Sequence, residues 1–170
     1  WLETDGVDDG MVTGNIDFTG TDKVSVFAGV RKLSDAAAGL VAEISATSDL
    51  NNGSFGVLSS GNTGGLTPAR NTWTTSIRGT LREFFSVTGY VSPVSSAVTA
   101  RLDLSAATPA GARVDNRIDG SVKSSVTIDG PAGAGIFGNY PLYLFRRAGT
   151  SLPFNGWFYG LAITGRLTTD

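Results

Sequence analysis

The chain has 170 residues, a formal net charge of -2, and neither cysteine nor histidine. The mild acidic balance argues against a polyanion-binding surface, so nucleic acid is not an expected partner. Without Cys and His the chain holds no disulfide, no Ser-His-Asp or Cys-His catalytic site and no His-ligated zinc.

The length suits one domain over residues 1–170 with a real core. The 23 glycines are dispersed, which suits short strands and many turns, and the expected class is all-β. No run approaches the about 18 apolar residues of a membrane span, so no membrane insertion is expected. The opening Trp1-Leu2-Glu3-Thr4-Asp5 lacks the regions of a secretory signal. It reads as starting in mid-strand, and the chain is expected to be a fragment of a longer protein.

Residues 1–10 carry Asp5, Asp8 and Asp9, either a solvated turn or a weak calcium-collecting loop; the run lacks the spacing of a dedicated calcium site. Residues 22–33 alternate, with Val24, Val26, Ala28 and Val30 on one face and Lys23, Ser25, Phe27, Gly29 and Arg31 on the other. Residues 34–39 predict a single helical turn stopped by Gly39. A strand follows over 40–48, then an Asn52-Gly53 hairpin turn and a return over 54–59. Residues 60–71 read as a surface loop. Strands are expected over 73–82 and 83–91, broken by Ser92-Pro93. Over 98–105, Val98, Ala100, Leu102 and Leu104 alternate with Thr99, Arg101, Asp103 and Ser105, a half-buried strand with one wet face. Residues 113–118 and 121–128 pair across Asp119-Gly120, the strongest hairpin signal in the chain. Residues 130–139 are a Gly-rich lead-in to two closing strands, 140–147 and 157–164, around a corner at Leu152-Pro153-Phe154-Asn155-Gly156. Roughly a dozen short strands with frequent turns predict two facing antiparallel sheets.

The closing text PLYLFRR…PFNGWFYGLAI, the opening L-x-x-D-G-V-D-D, and the run VSVFAGVRKLSDAA…VAEISA…NNGSF resemble the concanavalin A-like, laminin-G-like jelly-roll superfamily. They are most similar to members carried on bacteriophage tail and tail-fibre proteins. The resemblance covers nearly the whole chain. It implies an antiparallel two-sheet β-sandwich and a non-catalytic recognition role: binding a bacterial surface polysaccharide from a virion tail fibre. It also implies a homo-oligomer, with a trimer plausible. The location is then the virion, or alternatively a prophage-encoded or cell-surface protein. A purely structural or oligomerisation module of the virion is the alternative. A polysaccharide depolymerase is a third reading, set against the absence of the superfamily's Glu-x-Asp-x-Glu strand and the isolation of Glu3, Glu43 and Glu83.

Sugar binding uses flat aromatic faces against pyranose C–H surfaces, with Asn and Arg on the hydroxyls. The candidates are Trp73, Tyr90, Arg146, Arg147, Asn155 and Trp157. Tyr159 is a further candidate, but strand alternation places Trp157, Tyr159, Leu161 and Ile163 on one face, which favours a core position for it over a ligand contact. Trp157, beside the corner, is either a sugar platform or an oligomer contact. Of Arg146 and Arg147, one is expected to be solvated and the other paired with an acid. The glycines of 133–138 match a dinucleotide-binding pattern without the flanking strand and helix that would give it meaning. Asn52-Gly53-Ser54 is read as a turn rather than a glycosylated sequon. No cofactor is expected; calcium at Asp5, Asp8 and Asp9 is the one metal considered.

Overall fold

A computed structural model describes residues 1–45, 50–59, 71–105, 114–123, 134–168 and the backbone of 126–128. Its strands are β1 (Leu2–Asp5), β2 (Met11–Asp17), β3 (Lys23–Lys32), β4 (Gly39–Ile44), β5 (Ser54–Ser59), β6 (Trp73–Arg78) and β7 (Arg82–Val87). They continue as β8 (Val94–Asp103), β9 (Val114–Ile118), β10 (Ser121–Val122), β11 (Val126–Ile128), β12 (Asn139–Leu144) and β13 (Asn155–Thr164). Two antiparallel sheets result, in the orders β1-β13-β3-β8-β9-β10 and β11-β7-β6-β5-β4-β12-β2. This is the expected all-β sandwich, and no helix occurs among the described residues.

The alternation read in 22–33 drives the six-stranded sheet. Val24, Val26, Ala28 and Val30 are buried, and they face Phe55, Val57, Ile77 and Phe85 of the other sheet in one apolar cluster. Each of the Val, Ile and Phe side chains among them contributes about 1.5–3 kcal/mol on burial. β8 repeats the device, with Val98, Ala100 and Leu102 inward and Ser95, Ala97, Thr99, Arg101 and Asp103 outward. The outward face of the six-stranded sheet is therefore wet. In the seven-stranded sheet β4, β5 and β6 are buried along nearly their whole length on both faces.

Polar side chains also stitch the two layers from inside. Trp73 Nε1 on β6 donates to Ser96 Oγ on β8 at 3.1 Å. Thr75 Oγ1 donates to Asn116 Oδ1 on β9 at 2.8 Å. Being satisfied, these groups avoid the cost of buried unpaired donors and fix how the sheets sit on each other.

Four sequence expectations change. Residues 34–38 form a bend rather than a helical turn, and Gly39 begins β4. β2 was not foreseen; it is an exposed edge strand paired only with β12. The strand expected over 121–128 divides: β10 pairs with β9, whereas β11 crosses to pair with β7 in the other sheet. The two closing strands also part. β12 enters the seven-stranded sheet between β4 and β2, and β13 enters the six-stranded sheet between β1 and β3. Between them Phe145, Ala148 and Leu152 have positive φ, so the chain folds back on itself in crossing from one layer to the other. Phe145 and Phe154 pack there with ring centroids 6.5 Å apart.

Candidate functional site

Trp73 is 1% exposed and bonded to Ser96, so it is a core residue and presents no face to a ligand. Tyr90 lies beyond the end of β7 and packs against the core cluster. Arg147 is the acid-paired guanidinium: its Nε donates to Glu43 Oε2 at 2.7 Å, and Glu43 is wholly buried. The pairing compensates a carboxylate that is costly to bury alone. Arg146 Nη1 donates to Asp8 O, and Asn155 Nδ2 donates to Asp5 O at 2.9 Å. These two residues pin the loop between β1 and β2.

That loop does not gather its carboxylates. Asp5 Oδ1 accepts the Val7 amide at 2.7 Å, and Asp9 Oδ2 accepts the Asp5 amide at 3.0 Å. Gly6 turns the chain at φ +79°, with Asn155 Cβ 2.8 Å from where its own Cβ would stand. No group of three acidic side chains able to hold a metal occurs among the described residues. Of the two readings of Asp5, Asp8 and Asp9, the turn matches these hydrogen bonds.

Trp157 sits on the outward face. It pairs with Glu3 of β1 and Arg31 of β3. The Trp1 ring lies 5.8 Å from it, and Arg31 Cζ lies 4.7 Å from its centroid. Such a cation–π contact is worth about 0.5–1 kcal/mol at an exposed site.

Two residues on, the ladder slips. Phe158 pairs with Val30 but Gly160 pairs with Gly29, so Tyr159 is the extra residue of a β-bulge. The bulge reverses the alternation. Phe158, Leu161 and Ile163 pack on the core, while Trp157 and Tyr159 both turn outward. Tyr159 is 52% exposed, not buried as the simple alternation implied. Its Cβ lies 3.3 Å from the position a Gly29 Cβ would take, so the close approach depends on that glycine.

Beside Tyr159 a trough of about 460 Å³ crosses β13, β3 and β8 on the outer face. Gly160, Gly29 and Ala97 stand side by side in the ladder and form its floor. Tyr159, Phe27 and Thr99 line it. The volume falls in the range of ligand sites, and the mixture of aromatic faces with a few polar groups suits a flat, hydroxylated molecule. Beyond Thr99, Asp115 Oδ2 receives Arg101 Nη1 at 2.9 Å and Arg117 Nε and Nη2 at 3.2 Å each.

Part of the lead-in to β12 lines a second cavity, of about 500 Å³, with Asn52, Thr80 and Tyr140. The loop expected over 60–71 lies outside the described residues except for Asn71, as do 130–133. None of Trp73, Tyr90, Arg146, Arg147, Asn155 and Trp157 lines the trough on the six-stranded sheet. Phe27, Thr99 and Ala97 were missed as site residues, and Tyr159 was weighed as a sugar contact but read as core; the run of small residues at 29, 97 and 160 becomes a signal only once the strand order is known.

The architecture is a concanavalin A-like jelly roll. No protein-family model and no curated protein matches the chain. Among solved structures, domains LG4-5 of the mouse laminin alpha1 chain align at TM-score 0.63 and 13% identity, over 95% of this chain and 40% of that one. The chain thus spans well under half of that laminin structure. The CBM40 of the Ruminococcus gnavus IT-sialidase aligns at TM-score 0.60 and 14% identity, over 94% of each chain, and has also been solved bound to α2,3-sialyllactose. The native heptameric SAP-like pentraxin of Limulus polyphemus aligns at TM-score 0.63 and 9% identity, over 98% of this chain and 76% of that one. Similarity at these identities establishes the fold and nothing finer.

Proposed function

We propose that this chain is a non-catalytic glycan-recognition domain that binds through the outer face of its six-stranded sheet. The observation that carries the proposal is the trough beside the Tyr159 bulge, floored by Gly160, Gly29 and Ala97. A strand does not waste an exposed tyrosine and a cross-strand row of small residues on a face that needs only to be wet. The α2,3-sialyllactose bound to the structurally similar CBM40 supports saccharide recognition by this scaffold. The sequence resemblance to phage tail proteins supports the finer reading: a virion tail-fibre module, or a prophage-encoded or cell-surface one, that attaches to a bacterial surface polysaccharide and gains by multivalency as a homo-oligomer, a trimer being the expected form.

Catalysis is not part of the proposal. Glycoside hydrolysis needs two carboxyls about 5–10 Å apart over the sugar. Glu43 is sequestered by Arg147, and Asp115 by Arg101 and Arg117. The test is glycan-array and whole-cell binding by the domain and by Tyr159→Ala. The proposal expects specific binding by the parent and a loss of ten-fold or more in the variant with the melting temperature kept. Absence of binding to every glycan and cell type would end it.

A second reading has its own observation. Trp1, just ahead of β1, and Leu2, Val7, Met11 and Val12, on β1, β2 or the turn between them, are all exposed. This apolar edge favours a structural, oligomerising module. Light scattering distinguishes the two: a defined oligomer with no glycan binding supports the structural role.

A further inference from the structure

The shape of the trough says more than that a sugar fits. Three cross-strand rows lie in it or beside it. Trp157, Arg31 and Ser95 make the first; Gly160, Gly29 and Ala97 the second; Ala162, Phe27 and Thr99 the third, which Arg117 extends on β9. The middle row carries no side chain beyond Cβ; Phe27 and Thr99 line the trough on one side of it and Tyr159 on the other. The groove therefore runs across the strands rather than along them. Adjacent strands lie about 4.8 Å apart, so the floor from β13 to β8 spans about 10 Å, and the next strand carries the line to about 14 Å. A single pyranose ring does not fill that length.

Both ends of the row are open. At one end stand the exposed rings of Tyr159 and Trp1. At the other, the line leads past Ala97 to the exposed Asp119-Gly120 turn. A pocket that selects a chain terminus needs a closed end, and among the described residues lining this groove none closes it. The charges that flank the floor are also engaged within the sheet. Arg31 lies over Trp157. Arg117 and Arg101 converge on Asp115. Asp119 Oδ1 accepts the Ala97 amide at 2.8 Å. An anionic sugar would have to compete with these contacts.

We propose that the trough holds an internal, uncharged stretch of a linear glycan, laid across β13, β3 and β8, with the Tyr159, Trp157 and Trp1 rings as the platform at one end. This rests on the glycan-recognition reading and specifies its ligand. Successive sugar units add contacts along the row, so affinity grows with chain length until the groove is full. Neither reducing nor non-reducing end needs to be free.

The experiment is calorimetric titration of the full chain with neutral homo-oligosaccharide ladders of glucose, galactose, mannose and N-acetylglucosamine, each from monosaccharide to hexasaccharide. Hyaluronan oligomers serve as the charged comparison, and end-blocked hexasaccharides test the need for a terminus. Two variants fill the groove from positions that tolerate it: Ala97→Tyr on the exposed face, and Gly160→Val, whose added Cβ meets nothing within 4 Å. Melting temperatures report whether each variant folds. The expected result is one neutral series whose affinity rises ten-fold or more with length, is unchanged by end-blocking, and is lost in both folded variants. A monosaccharide that binds as tightly as its hexasaccharide, or a requirement for a free end, overturns the internal-stretch proposal and leaves glycan recognition standing. Preference for hyaluronan overturns the uncharged ligand. Length-dependent binding that survives both variants places the ligand elsewhere. If no saccharide of any series binds, the inference and the function reading fall together.

Discussion

Lys32 ends β3 on the inward face with no solvent exposure. Its ammonium lies 2.7 Å from Asp35, donates to the Thr72 carbonyl, and sits 5.4 Å from the Trp73 ring centroid. Burial pushes its pKa down, and the Asp35 carboxylate works in the opposite direction. Asp35 Oδ2 in turn accepts the Ser92 amide. One lysine thus joins β3, the bend after it and the start of β6. Lys32→Ala leaves Asp35 without this partner and opens a void against Trp73. A loss of about 3 kcal/mol in urea unfolding is expected. Lys32→Met keeps the aliphatic stem and should cost less; equal losses would show that the charge alone mattered. The sequence places Lys32 in phase with Val30, but a lysine at a strand end looks solvated until the partner loop is seen. Trp73 fails in the opposite sense. Its composition suggested a sugar platform, whereas its indole N–H is used inside the sandwich, and only the fold could show the Ser96 hydroxyl waiting there.

At the scale of elements, local chemistry was readable and long-range choice was not. The Asp119-Gly120 hairpin was legible because turn preference is carried by two adjacent residues: both have positive φ, +54° and +76°, as the sequence demands. Gly120→Val forces a β-branched residue into that region, and a destabilisation of about 1–2 kcal/mol is expected by chemical denaturation, with the fold retained. β3 and β8 were legible from period-two burial. β2 was not, because Gly14 and Asn15 interrupt it and its residues are almost all exposed, so no alternation marks it. The candidate site was half legible for a related reason. A single-residue bulge at Tyr159 inverts every face assignment between Trp157 and Leu161. Nothing in the text around Tyr159 announces the slip; it follows from matching β13 to β3 and from Gly29 leaving room for the tyrosine. Tyr159→Ala should therefore be thermally mild, within about 0.5 kcal/mol as for other surface changes, while affecting binding strongly.

For the molecule as a whole, the titrating groups set an acid limit to stability. The Asp17 pKa lies below its ordinary 3.8, through hydrogen bonds from the Thr19 hydroxyl and amide. At Asp103, burial pushes upward, but the Ser105 hydrogen bonds and the Lys23 charge outweigh it and the net shift is downward. Carboxylates depressed in the folded state contribute stability that is fully present above 3.8 and is lost as pH falls through the folded values. The Lys23 pKa is raised, chiefly by its hydrogen bond to Asp22, so its share is present below 10.5 and lost above it. Urea midpoints are expected to stay level near neutral pH and to drop below about pH 4. Asp103→Asn should remove part of that drop; an unchanged acid limb would show that Asp103 takes no part in it.

The order of the strands also governs when the chain can acquire its structure. β1 finds its ladder partner in β13, and β2 finds its own in β12, so the first two strands wait for the last two. A nascent polypeptide not yet extended past residue 139 would hold β1 and β2 as two orphaned ribbons, and both layers would stay unclosed until residues 139–164 had emerged. Pulling from the C-terminus should reverse this in one event: peeling β13 frees β1 and exposes β3 together, so the molecule ought to unravel without a stable half-open stage.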